Sequence, residues 1–104
     1  MKLAVVNTDL VRAINEKRLI EFTYKTGRTR VVEPHDYGTR HDTELLLAFQ
    51  ISGDSRSGAA EGWKSFDITQ MRQLRVLDET FAGSRADDAQ RHGGWDRLFA
   101  RVIR

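Results

Sequence analysis

A period-two block near the start of the chain constrains its fold more than any other feature. Ile20, Phe22 and Tyr24 alternate with Glu21, Thr23 and Lys25, the signature of a strand with one buried face. Thr26-Gly27-Arg28 supplies a turn, and the apolar-basic run Arg30-Val31-Val32-Glu33-Pro34-His35 follows. The block therefore reads as strand, turn, strand, covering Leu19–Lys25 and Thr29–His35.

A helix is expected just before it, over Thr8–Arg18. Asn7 or Thr8 can cap it, Asp9 lies in its first turn, and Lys17 and Arg18 close its last turn, all suited to the helix dipole. Val6, Leu10, Ala13 and Ile14 form an apolar stripe at helical spacing. After the block, Asp36 to Thr43 is polar, contains Gly38, and reads as a connection. Glu44–Ile51 is the most apolar run and is expected to form a central strand. Ser52 to Gly62 reads as a long mobile loop, Trp63–Ile68 as a fourth strand, Thr69 to Gln73 as a tight turn, and Leu74–Asp78 as a short fifth strand. Ala82 to Gly94 has the composition of a linker. Beyond it Trp95, Leu98, Phe99, Val102 and Ile103 fall at helical spacing, which predicts a C-terminal amphipathic helix.

With 104 residues the chain is long enough for a single domain, and 39% apolar residues suffice for a modest core. It contains no cysteine, which excludes disulfides and thiolate metal sites and fits a reducing compartment. The apolar N-terminal run is too short for a signal peptide or a membrane span, so a cytoplasmic protein is expected. Lysine and arginine total 17 against 15 acidic residues. This balance does not by itself indicate nucleic acid, so any basic surface must come from placement.

One helix, five short strands and a tight turn before the fifth is the order of a small Sm-like barrel. Ala13-Ile14, Ile20-Glu21-Phe22-Thr23-Tyr24, Gly27-Arg28, Arg30 to His35, Leu46-Leu47-Ala48-Phe49, Lys64-Ser65-Phe66, Met71, Leu74 and Phe81 resemble, in that order, the WYL domain family. The resemblance spans Leu10 to Phe81. It implies a five-stranded Sm-like (Src-homology-3-type) β-barrel with an N-terminal helix, over residues 1–81, followed by a linker and helix over 82–104. It also implies a pocket for a charged, nucleotide-like ligand, formed around the second-strand arginine. Two departures bear on that pocket. Glu44-Leu45-Leu46 stands where the family carries its Trp-Tyr-Leu run, and Lys64, Asp67 and Gln70 stand where fourth-strand arginines are usual. The family's usual N-terminal helix-turn-helix companion has no counterpart before Leu10.

The candidate site residues follow. Arg28, Arg30 and Arg40 with Lys25 and Lys64 would bind phosphate if the strands bring them to one face, because the guanidinium fork suits bidentate contact. Otherwise they are solvated edge charges that discourage aggregation. Tyr37 and Trp63, at loop edges, are the candidates for exposed stacking on a base, while Phe22, Phe49 and Phe66 are expected in the core. His35-Asp36 and His41-Asp42 have the chemistry of metal ligands but not the spacing of a helix-borne zinc site, so no metal is assigned. Gly53 to Gly58 lacks the ending of a phosphate-cradling loop. No serine or cysteine nucleophile sits in a recognisable context. Arg97, Arg101 and Arg104 would line the wet side of the terminal helix, available to nucleic acid or a partner.

The resulting expectation is a non-catalytic regulatory module, without cofactor. It would sense a nucleotide, oligonucleotide or other anionic ligand through Arg30, with Arg28, Lys64, Tyr37 and His35 in support. The alternative is an interaction subunit that homodimerises through its C-terminal helix and takes no small ligand.

Overall fold

A computed structural model describes residues 5–25, 27–53, 61–85 and 94–103. It is mainly antiparallel β with one α-helix, in the order α1 (Thr8–Asn15), β1 (Arg18–Tyr24), β2 (Thr29–Arg40), β3 (Thr43–Gly53), β4 (Gly62–Asp67), a 3₁₀ turn (Ile68–Gln70), β5 (Met71–Thr80) and β6 (Arg97–Arg101). α1 begins where its cap predicts: the Asn7 side chain accepts from the backbone N–H groups of Asp9 and Leu10 at 3.0 and 3.2 Å. It stops before Lys17, whose φ of 54° cannot continue a helix. Its stripe of Leu10, Ala13 and Ile14 is buried.

The strands lie in the order β4-β3-β2-β1-β5, with β6 added beside β2. The succession of one helix, five strands and a tight turn before the fifth is the one expected of the small barrel. Among the described residues, however, no ladder joins β4 to β5, and the sheet is open there. Two hydrogen bonds instead tie the end of β1 to the segment that connects β4 and β5. The Asp67 N–H donates to the Tyr24 hydroxyl at 3.0 Å, and the Lys25 N–H donates to the Gln70 carbonyl at 2.9 Å.

The 12-residue β2 is the spine of the fold. One edge pairs with β3 along its whole length, while the other serves two partners in turn. β1 pairs with its first part, ending at Ile20↔Val32, and β6 with its last part, beginning at Asp36↔Arg101. Glu33, Pro34 and His35 fill the interval, where the β2–β3 register also shifts. Proline has no N–H to give a neighbouring strand and is tolerated at such a bulge. The expected connection from Asp36 to Thr43 is thus corrected: most of it is strand, and the reversal is the pair His41-Asp42, with φ values of 51° and 62°, as a two-residue hairpin turn requires.

The expected C-terminal helix is also corrected. That segment is β6, docked on its own sheet. Gly38, read from sequence as a loop residue, permits the docking. A Cβ there would lie 2.1 Å from the Arg97 carbonyl oxygen and 3.0 Å from the Leu98 Cα, so only glycine lets the two backbones meet.

The core comprises Leu10, Ile14, Ile20, Phe22, Val32, Tyr37, Leu46, Ala48, Phe66, Ala100 and Val102, all buried. Phe49, expected in the core, is half-buried, as are Val31, Ile68, Leu74 and Val76. No described helix is long and apolar enough to cross a membrane.

Candidate anion-binding site

Strand register decides which cations meet. Phe22 on β1 lies directly opposite Arg30 on β2, and opposed residues share a face of the sheet. Arg30 therefore points inward, to the side of Phe22 and Val32. Phe22, Tyr24 and Phe66 form an edge-to-face trio there, with centroids 4.9 to 6.3 Å apart. The Arg30 guanidinium lies over two of these rings, 5.2 Å from the Tyr24 centroid and 5.7 Å from that of Phe66. Each such contact contributes about 0.5–2 kcal/mol, more as water is excluded.

The polar partners of Arg30 are few. Its Nη1 donates to the Oε1 of the fully buried Gln50 at 3.4 Å, and its Nε is buried with no acceptor. Among the described residues it forms no ion pair. A guanidinium held by π faces and one neutral amide keeps its full charge uncompensated, and a buried donor without an acceptor retains its desolvation penalty. An incoming anion would relieve both.

Lys64 belongs to the same face. It lies opposite the buried Ala48 and stands two residues before Phe66 along β4, which puts the two on one face. The Lys25 ammonium lies 5.5 Å from the Tyr24 ring centroid. Arg72, opposite Thr23, donates to the Lys25 carbonyl. The end of the sheet where β1 finishes and β2 and β4 begin is therefore basic. Arg28 is exposed on the β1–β2 connection, near this end but outside the Arg30 contacts.

Tyr37 and His35 do not join them. Tyr37 is a core residue, not a stacking platform at a loop edge. Its hydroxyl accepts from the Asn7 N–H at 2.8 Å and donates to Glu44 Oε2 at 2.6 Å. Burial, then the bond to Glu44, push its pKa up to about 12. At about 3.3 Å per residue along a strand, it sits roughly 20 Å from Arg30.

His35 is buried on the outer face. Its Nδ1 lies 2.8 Å from the Glu33 carbonyl oxygen, and its ring packs edge-on to Trp63 at 4.6 Å and stacks on Phe81 at 5.7 Å. Trp63 is half-buried in this cluster, also against Phe49. Arg85 covers it, 3.5 Å above the Phe49 ring and paired with both Glu33 oxygens at 2.9 and 3.0 Å.

The terminal arginines divide between two roles. Arg101 binds the fully buried Asp36, which also accepts from Trp95 Nε1 at 3.2 Å. Arg97 is exposed beside α1. Arg104 and the Asp54–Gly58 part of the candidate loop lie outside the described residues. His41 and Asp42 are exposed on the β2–β3 turn, away from the buried His35-Asp36 pair. Gln50, Tyr24 and Phe66 are members of the Arg30 cluster that sequence reasoning did not assign to it, Phe66 being read as core. The alternation Tyr24, Phe22 already placed Tyr24 on the inner face, whereas Gln50 had no signal beyond a polar residue within an apolar run.

No family model and no curated protein matches the chain. Among solved structures it is similar to Proteasome accessory factor B/C (PafBC) of Arthrobacter aurescens, at 23% identity and a TM-score of 0.63, over 81% of this chain and 13% of that one. The likeness supports a WYL-like fold. At this identity it speaks to the fold alone, and this chain spans a small part of PafBC.

Proposed function

We propose that this chain is a non-catalytic regulatory module that binds an anionic, nucleotide-like or oligonucleotide ligand at the basic end of its sheet. The observation that carries the reading is Arg30: inward-facing, seated on Tyr24 and Phe66, without a carboxylate partner among the described residues and with a buried Nε lacking an acceptor. A structural arginine is ordinarily matched by an acid, as Arg101 is by Asp36. In this reading Arg30 contacts a phosphate, Lys64 supports it on the same face, and the exposed Arg28 and Lys25 extend the basic surface for a longer ligand. His35 and Tyr37 serve the fold. A cytoplasmic setting fits a nucleotide ligand.

The test is titration of labelled single-stranded RNA and DNA and of mononucleotides. Affinity for a single strand should fall by about 0.7 log units per decade of salt for each phosphate contacted. Arg30→Lys, which keeps the charge and loses the fork, should weaken binding, and Lys64→Ala should weaken it less. Salt-insensitive traces with no response to either variant would refute the reading.

A further inference from the structure

β6 ladders to β2 along one edge and, among the described residues, to no strand along the other. α1 stands beside it, and the two enclose a groove of about 870 Å³. Val6 and Val11 line the helix side, and Leu98 and Phe99 the strand side. The large apolar side chains exposed among the described residues are Val5, Leu98 and Ile103. Leu98 lines this groove, and Val5 directly precedes Val6, which also lines it. An open strand edge facing a helix with apolar side chains between them has the form of a site for strand addition. There, main-chain hydrogen bonds supply affinity and alternate side chains enter the groove.

The charges favour one kind of occupant. Glu16 is already paired with Arg18 at 3.1 Å. Asp96 accepts from the His41 N–H at 2.6 Å. Arg12 reaches Asp9 only at 3.8 Å, with both side chains at least half exposed, and Arg97 has no acidic partner among the described residues. The groove therefore presents two weakly compensated guanidinium groups beside an apolar floor, and a basic segment would meet like charge there.

We infer that the α1–β6 groove binds an extended peptide segment of a partner protein in which apolar residues alternate with acidic ones, added as a strand to the open edge of β6. Its apolar side chains fill the space between Val11 and Phe99, and its carboxylates reach Arg97 and Arg12. The inference is independent of the Arg30 site, which lies towards the other end of β2.

The test uses the full chain, labelled for amide NMR, and a synthetic pool of acetylated octapeptides alternating valine or leucine with glutamate or aspartate. A lysine-containing pool is the control. The acidic pool should saturably shift the amides of Val11, Leu98 and Phe99, and the lysine pool should not. Arg97→Glu changes an exposed side chain and leaves the fold intact. It should weaken the acidic pool about fivefold, the scale of one exposed ion pair turned repulsive, while Arg30→Lys leaves this binding unchanged. Equal responses to the two pools, no response to either, or indifference to Arg97→Glu would overturn the inference and leave Arg97 as a guard against edge aggregation. Sedimentation showing a dimer that the acidic pool does not displace would assign the groove to a second copy. Shifts of the β6 amides on deletion of residues 1–4 alone would assign it to the chain's own N-terminal segment. Either result would also overturn the inference.

Discussion

Arg101 grips Asp36 with two parallel hydrogen bonds, Nε to Oδ1 at 3.1 Å and Nη2 to Oδ2 at 3.0 Å. The carboxylate is fully buried and its partner partly exposed, so the geometry fastens the last strand to the middle of the longest one. Removing the guanidinium leaves a buried charge with Trp95 Nε1 as a remaining donor. Arg101→Ala should therefore cost roughly 1.5–3 kcal/mol, the range for a hydrogen-bonded charge. Urea unfolding gives the cost, and faster amide exchange confined to β6 would locate it. Truncation after Gly94, which also removes the buried Ala100 and Val102, should cost more.

Gly38→Ala should be among the most damaging small substitutions in this chain. The added methyl would fall 2.1 Å from the Arg97 carbonyl oxygen, and backbone cannot yield as a flexible side chain does. Overpacking costs about 1–3 kcal/mol, and here the relief is withdrawal of β6. Thermal unfolding should register the loss, and a β6-truncated chain should be nearly indifferent to the same change.

Tyr37 carries a pH signature. Its folded pKa is pushed up to about 12 from an ordinary value of 10.0, so the folded state holds the phenolic proton more tightly than the unfolded one. Its contribution is complete below about pH 10 and is lost as pH rises towards about 12. Tyr37→Phe should remove that alkaline decline and cost about 1–3 kcal/mol at neutral pH, because Asn7 and Glu44 lose a buried partner. Denaturant midpoints across pH 9–12 for both proteins are the measurement.

Phe66→Ala should cost about 3–5 kcal/mol, as for other buried aromatics. Phe66 also forms part of the seat of Arg30, so anion affinity should fall in the same variant even where it remains folded.

The hairpin of β1 and β2, the helix α1 and the succession of five strands were legible because each carries its own local signal. Those signals are alternation at Ile20, Phe22 and Tyr24, a cap at Asn7, and turn residues between the runs. The tail was not legible. Leu98, Phe99 and Val102 fit a helical period, yet β6 is a five-residue strand whose register shift falls where Tyr37 and Gly38 meet Ala100 and Leu98. That shift removes the strict alternation that would have marked it, and short apolar runs are ambiguous between the two structures. Gly38 and Pro34 misled for a related reason. Gly38 read as part of a connection and Pro34 as sitting near the close of a strand, yet both mark places within β2 where it accommodates another strand or none. Tyr37 read as exposed because its segment read as a loop. Arg30 could be singled out by its place in the second run, but its seat could not, because the seat depends on the register between strands distant in sequence.

The spine strand, with β1 on the first part of one edge and β6 on the last, also orders events in time. β2 and β3 are joined by a two-residue turn and meet cheaply, whereas β6 must close a separation of 65 residues to bring Arg101 to Asp36. Loop closure over such a distance has to precede the contacts that reward it. β6 should therefore dock late, after the transition state for folding. Weakening the Asp36–Arg101 contact should then leave the refolding rate nearly unchanged and speed unfolding instead. The tail strand would thus set how long the native molecule persists rather than how fast it is reached.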